Sequence, residues 1–169
     1  MSNGQILISD QSDNYLLKLV GDVRLTLSAS LSRYIETLFN NHTVQRIVVD
    51  MLEAEAVDST TLGLIAKLGL RCRQHFNINV QLFCQNPSIL KTLDCMGFDE
   101  IIDIFSQPHE VNGKLRTLDT SDDASEDNLD ELREQVLESH KLLRQLNPEN
   151  SVEFSDLIQA LELDIRKDH

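Results

Sequence analysis

No stretch of this sequence is apolar for long enough to cross a bilayer; runs such as Arg46 to Asp50 are a few residues long. Its start, Met1 to Gly4, shows no basic segment followed by an apolar one, so a chain neither secreted nor membrane-spanning, working in the cytoplasm, is expected. The three cysteines, Cys72, Cys84 and Cys95, stand far apart without CxxC or Cys/His ligand spacing. That pattern argues against a zinc site and a disulfide framework and predicts reduced, partly buried thiols. Positive charge is scarce as well: 15 basic against 28 acidic residues give a formal net charge of -13. Nucleic-acid binding needs clustered Lys and Arg to release counterions, so a protein partner with a basic surface suits this chain better. Catalytic signatures are missing too. No Gly-x-Ser-x-Gly elbow or phosphate-binding Gly-x-x-x-x-Gly-Lys loop occurs, and His42, His75, His109, His140 and His169 are scattered without a matching acid or metal pattern. No enzyme, metal or cofactor is therefore expected.

What is present reads as one α/β domain with an appendage. Residues 5–9 and 15–21 are short apolar runs separated by Asp10, Ser12, Asp13 and Asn14, the composition of a hairpin turn. Thr26 and Ser28 can cap a helix in which Leu31, Tyr34, Ile35 and Leu38 recur at helical spacing. Within residues 46–51, Ile47, Val48 and Val49 are a continuous β-branched apolar run, as in a strand buried on both faces. A helix from Ser59 to His75 follows, with Leu62, Ile65, Gly69, Cys72 and Phe76 as its sheet-facing stripe. Residues 78–82 alternate like a strand. Asn86 and Pro87 open a short helix that Gly97 closes, and residues 101–105 make a last strand. The order β-β-α-β-α-β-α-β predicts a mixed sheet with packed crossover helices.

The charge is uneven, and the tail differs in kind. Residues 1–105 carry 8 basic and 12 acidic side chains, whereas 106–169 carry 7 and 16. Residues 117–128 hold almost no apolar side chain and no positive charge, which predicts a linker between a domain over 1–116 and an extension over 129–169. In the extension, Leu129, Leu132, Val136, Leu143 and Leu146 recur at helical steps until Asn147 and Pro148, and Phe154, Leu157, Ile158, Leu161 and Ile165 mark a second helix. An α-helical hairpin is expected. Isolated helices of this length are marginal in water, so the two must pack on the domain or on each other, or bind a partner or a second copy. Removing 118–169 is expected to leave the domain folded.

The sharpest local feature is Val57 to Gly63, reading Val-Asp-Ser-Thr-Thr-Leu-Gly, at the start of the second helix. Asp58 or Ser59 can simply cap that helix. The same geometry also exposes a hydroxyl at a helix N-terminus, where a phosphate would be tolerated and would alter the surface offered to a docking protein. The segment resembles the signature of the STAS domain in anti-sigma factor antagonists. Gly21 and Asp22 ending the second strand, Ile47 to Asp50 before the motif, and Asn86, Pro87 and Met96 to Phe98 after it match the same family over about residues 4–115.

The resemblance implies a STAS fold and a non-catalytic switch. Unphosphorylated, it would sequester an anti-sigma factor; that factor or a related serine kinase would phosphorylate Ser59, and a serine phosphatase would reverse this. Thr61 departs from the small residue that the family often carries there. If Leu62, Ile65, Gly69 and Cys72 face the sheet, then Thr60, Thr61, Leu64, Lys67, Leu68 and Arg71 form the opposite side, with Leu64 and Leu68 exposed beside Asp58 and Ser59. Asp22 either shapes that surface, as the family implies, or caps the turn after Gly21. The rival expectation is an unphosphorylated STAS scaffold subunit of a transporter or signalling complex.

Overall fold

A computed structural model of the chain describes residues 3–40, 43–111, 113–120 and 129–167. Among them the elements run β1 (Gln5–Gln11), β2 (Asn14–Val23), α1 (Ser28–Phe39), β3 (Arg46–Val57), α2 (Ser59–Phe76), β4 (Gln81–Phe83), α3 (Pro87–Met96), β5 (Asp103–Phe105), β6 (Arg116–Thr117), α4 (Leu129–Leu146) and α5 (Pro148–Lys167). The strands form one mixed sheet in the order β5-β4-β3-β2-β1-β6, as the alternation of strands and helices predicts. β1 pairs antiparallel with β2 and β6, and β2 through β5 are parallel neighbours.

Local chemistry sets most of the boundaries. Ser12 and Asp13 both have positive φ, 52° and 67°, the left-handed pair that a two-residue hairpin with the right twist requires. Asn86 accepts from the backbone N–H of Ser88 and Ile89 ahead of Pro87, and Gly97 at φ 85° closes α3. The expected side-chain cap at Thr26 or Ser28 does not form. A 3-10 turn over Leu25–Leu27 leads into α1 instead, and the Ser28 hydroxyl donates back to the Leu25 carbonyl.

Alternation along the strands divides the apolar residues between two faces. Leu17 and Leu19 of β2 and Ile47, Val49 and Met51 of β3 point into the main core beneath the helices. Leu16, Val48 and Phe83 form a small second cluster on the opposite face, joined by Val111. There the Asp50 carboxylate, 4% exposed, accepts from His109 Nε2 at 2.7 Å, while His109 Nδ1 accepts from the Val111 N–H at 3.2 Å. Nδ1 is thus the bare nitrogen of the ring and Nε2 carries the proton.

The stretch expected as a linker is partly structured. Residues 121–128 lie outside the described residues, but Arg116 and Thr117 pair with β1 and the Asp119 carbonyl accepts from Ser30 Oγ. The helical hairpin is present and docks on the domain: Leu143, Phe154 and Ile158 are buried in the main core cluster. Asn147 ends α4 and caps α5, accepting from the Asn150 N–H at 2.8 Å, while the Asn150 amide donates to Met96 and Leu143 carbonyls. Cys72 and Cys84 are buried free thiols, but Cys95 is exposed rather than partly buried, because it lies on the outer side of α3.

Candidate functional site

Asp58 is the N-cap of α2, in extended conformation, and its two oxygens do different work. Oδ1 accepts from the Thr61 N–H at 2.9 Å, closing the first turn, and Oδ2 accepts from the Leu25 N–H at 2.6 Å. One carboxylate therefore ties the turn after β2 to the start of α2. The register sets Asp22 beside Ala56 and Val23 beside Val57, so the ends of β2 and β3 and the start of α2 meet at one edge. Asp22 Oδ2 accepts from Arg24 Nε at 2.8 Å, which makes Asp22 a partner of the turn that Asp58 holds.

Ser59 is half-buried at the first position of α2, and its hydroxyl meets a residue 81 positions away. Oγ lies 2.7 Å from Nε2 of His140 on α4. His140 Nδ1 lies 2.6 Å from the Val136 carbonyl, which can only accept, so Nδ1 carries the proton of the neutral ring and Ser59 donates to Nε2. The ring is 3% exposed and stands edge-on to Phe154 at 4.9 Å between centroids. A hydroxyl bonded to an imidazole is half of a nucleophile–base pair, but a neutral carbonyl orients this ring where such pairs place an acid.

The face beyond Ser59 is not open, contrary to the expectation from helical periodicity. Thr60, Thr61, Leu64 and Leu68 are all at most 2% exposed. Two neighbours cover them. Arg71 pairs with Glu36 of α1 at 2.7 Å and lies over the Phe39 ring at 4.1 Å; Leu68 and Leu64 precede Arg71 by three and seven residues on the same strip of α2. On the adjacent strip, α4 approaches so closely that a Cβ on Gly63 would overlap the backbone and side chain of Ser139. Ser139 Oγ donates to the Thr60 carbonyl at 2.8 Å.

Lys67 sits between the two neighbours, with its ammonium 3.1 Å from Glu36 of α1 and 2.9 Å from Glu138 of α4. Burial works against its charge, yet the two carboxylates outweigh it and hold its pKa above the ordinary lysine value. The site residues named from sequence thus lie along α2 or at the strand ends beside its start, with Thr60, Thr61, Leu64 and Leu68 buried and Asp22, Asp58, Ser59, Lys67 and Arg71 partly exposed. The residues that sequence reasoning missed are His140, Ser139, Glu138 and Glu36. One signal for His140 was available: it stands four residues after Val136 and three before Leu143, on the apolar stripe of its own helix.

Among the described residues no group of three or more His, Cys, Asp or Glu side chains could hold a metal ion, and no helix is long and apolar enough to cross a membrane. The fold is a mixed α/β sheet whose strand ends meet the capped start of α2 at one edge. The family model of the STAS domain matches residues 5–111, and the chain belongs to that family. STAS domains of this fold are non-enzymatic binding modules. No curated protein sequence matches the chain.

Two solved structures share the fold. The anti-sigma factor antagonist SpoIIAA in its unphosphorylated form is 15% identical at a TM-score of 0.50, over 63% of this chain and 90% of its own. The Thermotoga maritima protein tm1081, assigned as an anti-sigma factor antagonist, is 18% identical at a TM-score of 0.51, over 59% of this chain and 85% of its own.

Proposed function

We propose that this STAS protein is an anti-sigma factor antagonist, a cytoplasmic protein-binding switch set by the phosphorylation of Ser59. The supporting observation is the position of Ser59 at the first turn of a helix capped by Asp58, in a domain that shares its fold with SpoIIAA. A helix N-terminus favours negative charge, so the fold would accept a phosphate there. That phosphate adds about -1.5 to -2 charges next to Asp58, and its effect falls on whatever protein docks at this edge. In this reading the unphosphorylated form sequesters an anti-sigma factor, a serine kinase related to that factor adds the phosphate, and a serine phosphatase removes it.

The test is phosphopeptide mass spectrometry on the chain recovered from its native cells, with Ser59→Ala as control, followed by calorimetry against the captured partner. Phosphate at Ser59 and a Ser59→Asp affinity lower by about 1 to 3 kcal/mol support the switch. A chain never phosphorylated at Ser59, with a partner indifferent to both substitutions, would refute it. That second outcome is what a constitutive scaffold subunit predicts, a reading favoured by the burial of Thr60, Thr61, Leu64 and Leu68.

A further inference from the structure

The start of α2 is already occupied by a helix, and the contacts show what chemistry the surface takes. α4 brings a small residue, Ser139, against Gly63 with no room for a larger one. It brings a carboxylate, Glu138, to Lys67 and an acceptor, His140 Nε2, to the Ser59 hydroxyl. One turn further on, Leu143 is buried in the core. Leu143 lies four residues after Ser139 and three after His140, so these three share the face of α4 that is laid onto α2, with Glu138 at its edge.

We propose that the Ser59 face is a helix-docking surface whose resident occupant is α4, and that a protein partner binds by replacing α4 with an acidic amphipathic helix of the same chemistry. The inference rests on the reading of the Ser59 face as the partner surface and adds the partner's recognition element. Three features of the molecule support it. The interface is polar where it touches Ser59, Thr60 and Lys67, so each contact can be made by another helix without leaving a buried group unpaired. The hairpin follows residues 121–128, whose sequence is acidic with Ala124 as its one apolar side chain, a composition with little apolar surface to bury. Finally, apart from Glu138 of α4 itself, Lys67 and Arg71 share the single carboxylate of Glu36, so the face carries a positive charge that an acidic helix satisfies and a basic one does not. While α4 is in place, the half-buried Ser59 hydroxyl is held by His140 and is less accessible to a modifying enzyme as well as to a partner.

The test uses the full chain and needs no native partner. Amide exchange under native conditions reads whether α4 opens while β3 stays closed; exchange over 129–146 at least tenfold faster than over 46–57 is expected. In a Ser59→Cys, Cys95→Ser chain, maleimide labelling of Cys at 59 is expected to accelerate at least tenfold when Ser139→Arg is added. An acetylated synthetic peptide of residues 129–146 should then slow that labelling again, and a scrambled peptide should not. Persisting β3 protection in the Ser139→Arg chain certifies that the domain is folded, with His140→Ala as a milder second variant. Exchange of α4 only in step with β3, or a peptide without effect on the loosened chain, overturns the proposal. Either result leaves the phosphopeptide measurement at Ser59 untouched, so the two readings fail separately.

Discussion

Two segments that follow β5 wrap back over the STAS domain, and each is fastened by a histidine. The first runs over the helix-free face of the sheet, where His109 donates to the buried Asp50 carboxylate and Val111 covers Leu16, Val48 and Phe83. The second is the α4–α5 hairpin over α2, where His140 accepts from the Ser59 hydroxyl. The rings even use opposite nitrogens as donors, Nε2 in His109 and Nδ1 in His140. The difference lies in what is left behind when the clip opens. Opening the first strands a buried carboxylate, whereas opening the second frees a neutral hydroxyl at a helix start. A charge-bearing clip suits a permanent cover, and a hydroxyl clip suits one that can be exchanged.

Variants can break that contrast. The largest effect is expected from Leu143→Ala, because the side chain is fully buried beneath the hairpin; a loss of about 3 kcal/mol in urea unfolding is predicted. A loss below about 1 kcal/mol would show that the hairpin adds little to the core. His109→Ala should cost about 2 kcal/mol, since Asp50 then loses its imidazole donor and keeps, among the described residues, the bond from the Leu52 N–H. His140→Ala should cost less, about 1.5 kcal/mol, a neutral hydrogen bond and an edge contact with Phe154. If the order of the two histidines were reversed, the distinction between the clips would be lost.

The smallest effect is expected at Cys72, which serves as the control. Burial pushes its thiol up to about 12, so between pH 7 and 9 it stays protonated and unreactive while exposed Cys95 reacts. Its folded value lies above the ordinary thiol value of 9.0, so this group's contribution to stability is intact below that value and is lost as the pH climbs from there towards 12. Iodoacetamide labelling read by mass spectrometry should therefore find Cys72 unmodified at pH 8, in His140→Ala as in wild type. Modified Cys72 would mean that loosening the hairpin also opens the domain.

Much of the fold was legible from local pattern. The Ser12 and Asp13 turn, the Asn86 and Pro87 helix start, Gly97 at a helix end and the Asn147 and Pro148 break all act within a few residues of themselves, where propensity and capping decide. Ser59 at the start of α2 was equally local, since one oxygen of Asp58 caps the turn that follows it. The strands were less exact: β4 is Gln81–Phe83 where alternation marked 78–82, and β3 extends to Val57, because pairing partners rather than composition set strand ends.

The exposed side of α2 could not be read at all from its own periodicity. Thr60, Leu64 and Leu68 follow a spacing that separates one face from another, but a helix pattern does not state how many neighbours will cover it. That depended on α1 lying along one strip and on α4, from beyond residue 128, lying along the next. By itself the sequence determined a STAS domain, a capped helix with Ser59 at its head and an amphipathic hairpin that had to dock somewhere. Only the tertiary structure decided that the hairpin docks on Ser59, because a contact between residues 59 and 140 depends on packing and charge brought together by the fold, and neither segment encodes it alone.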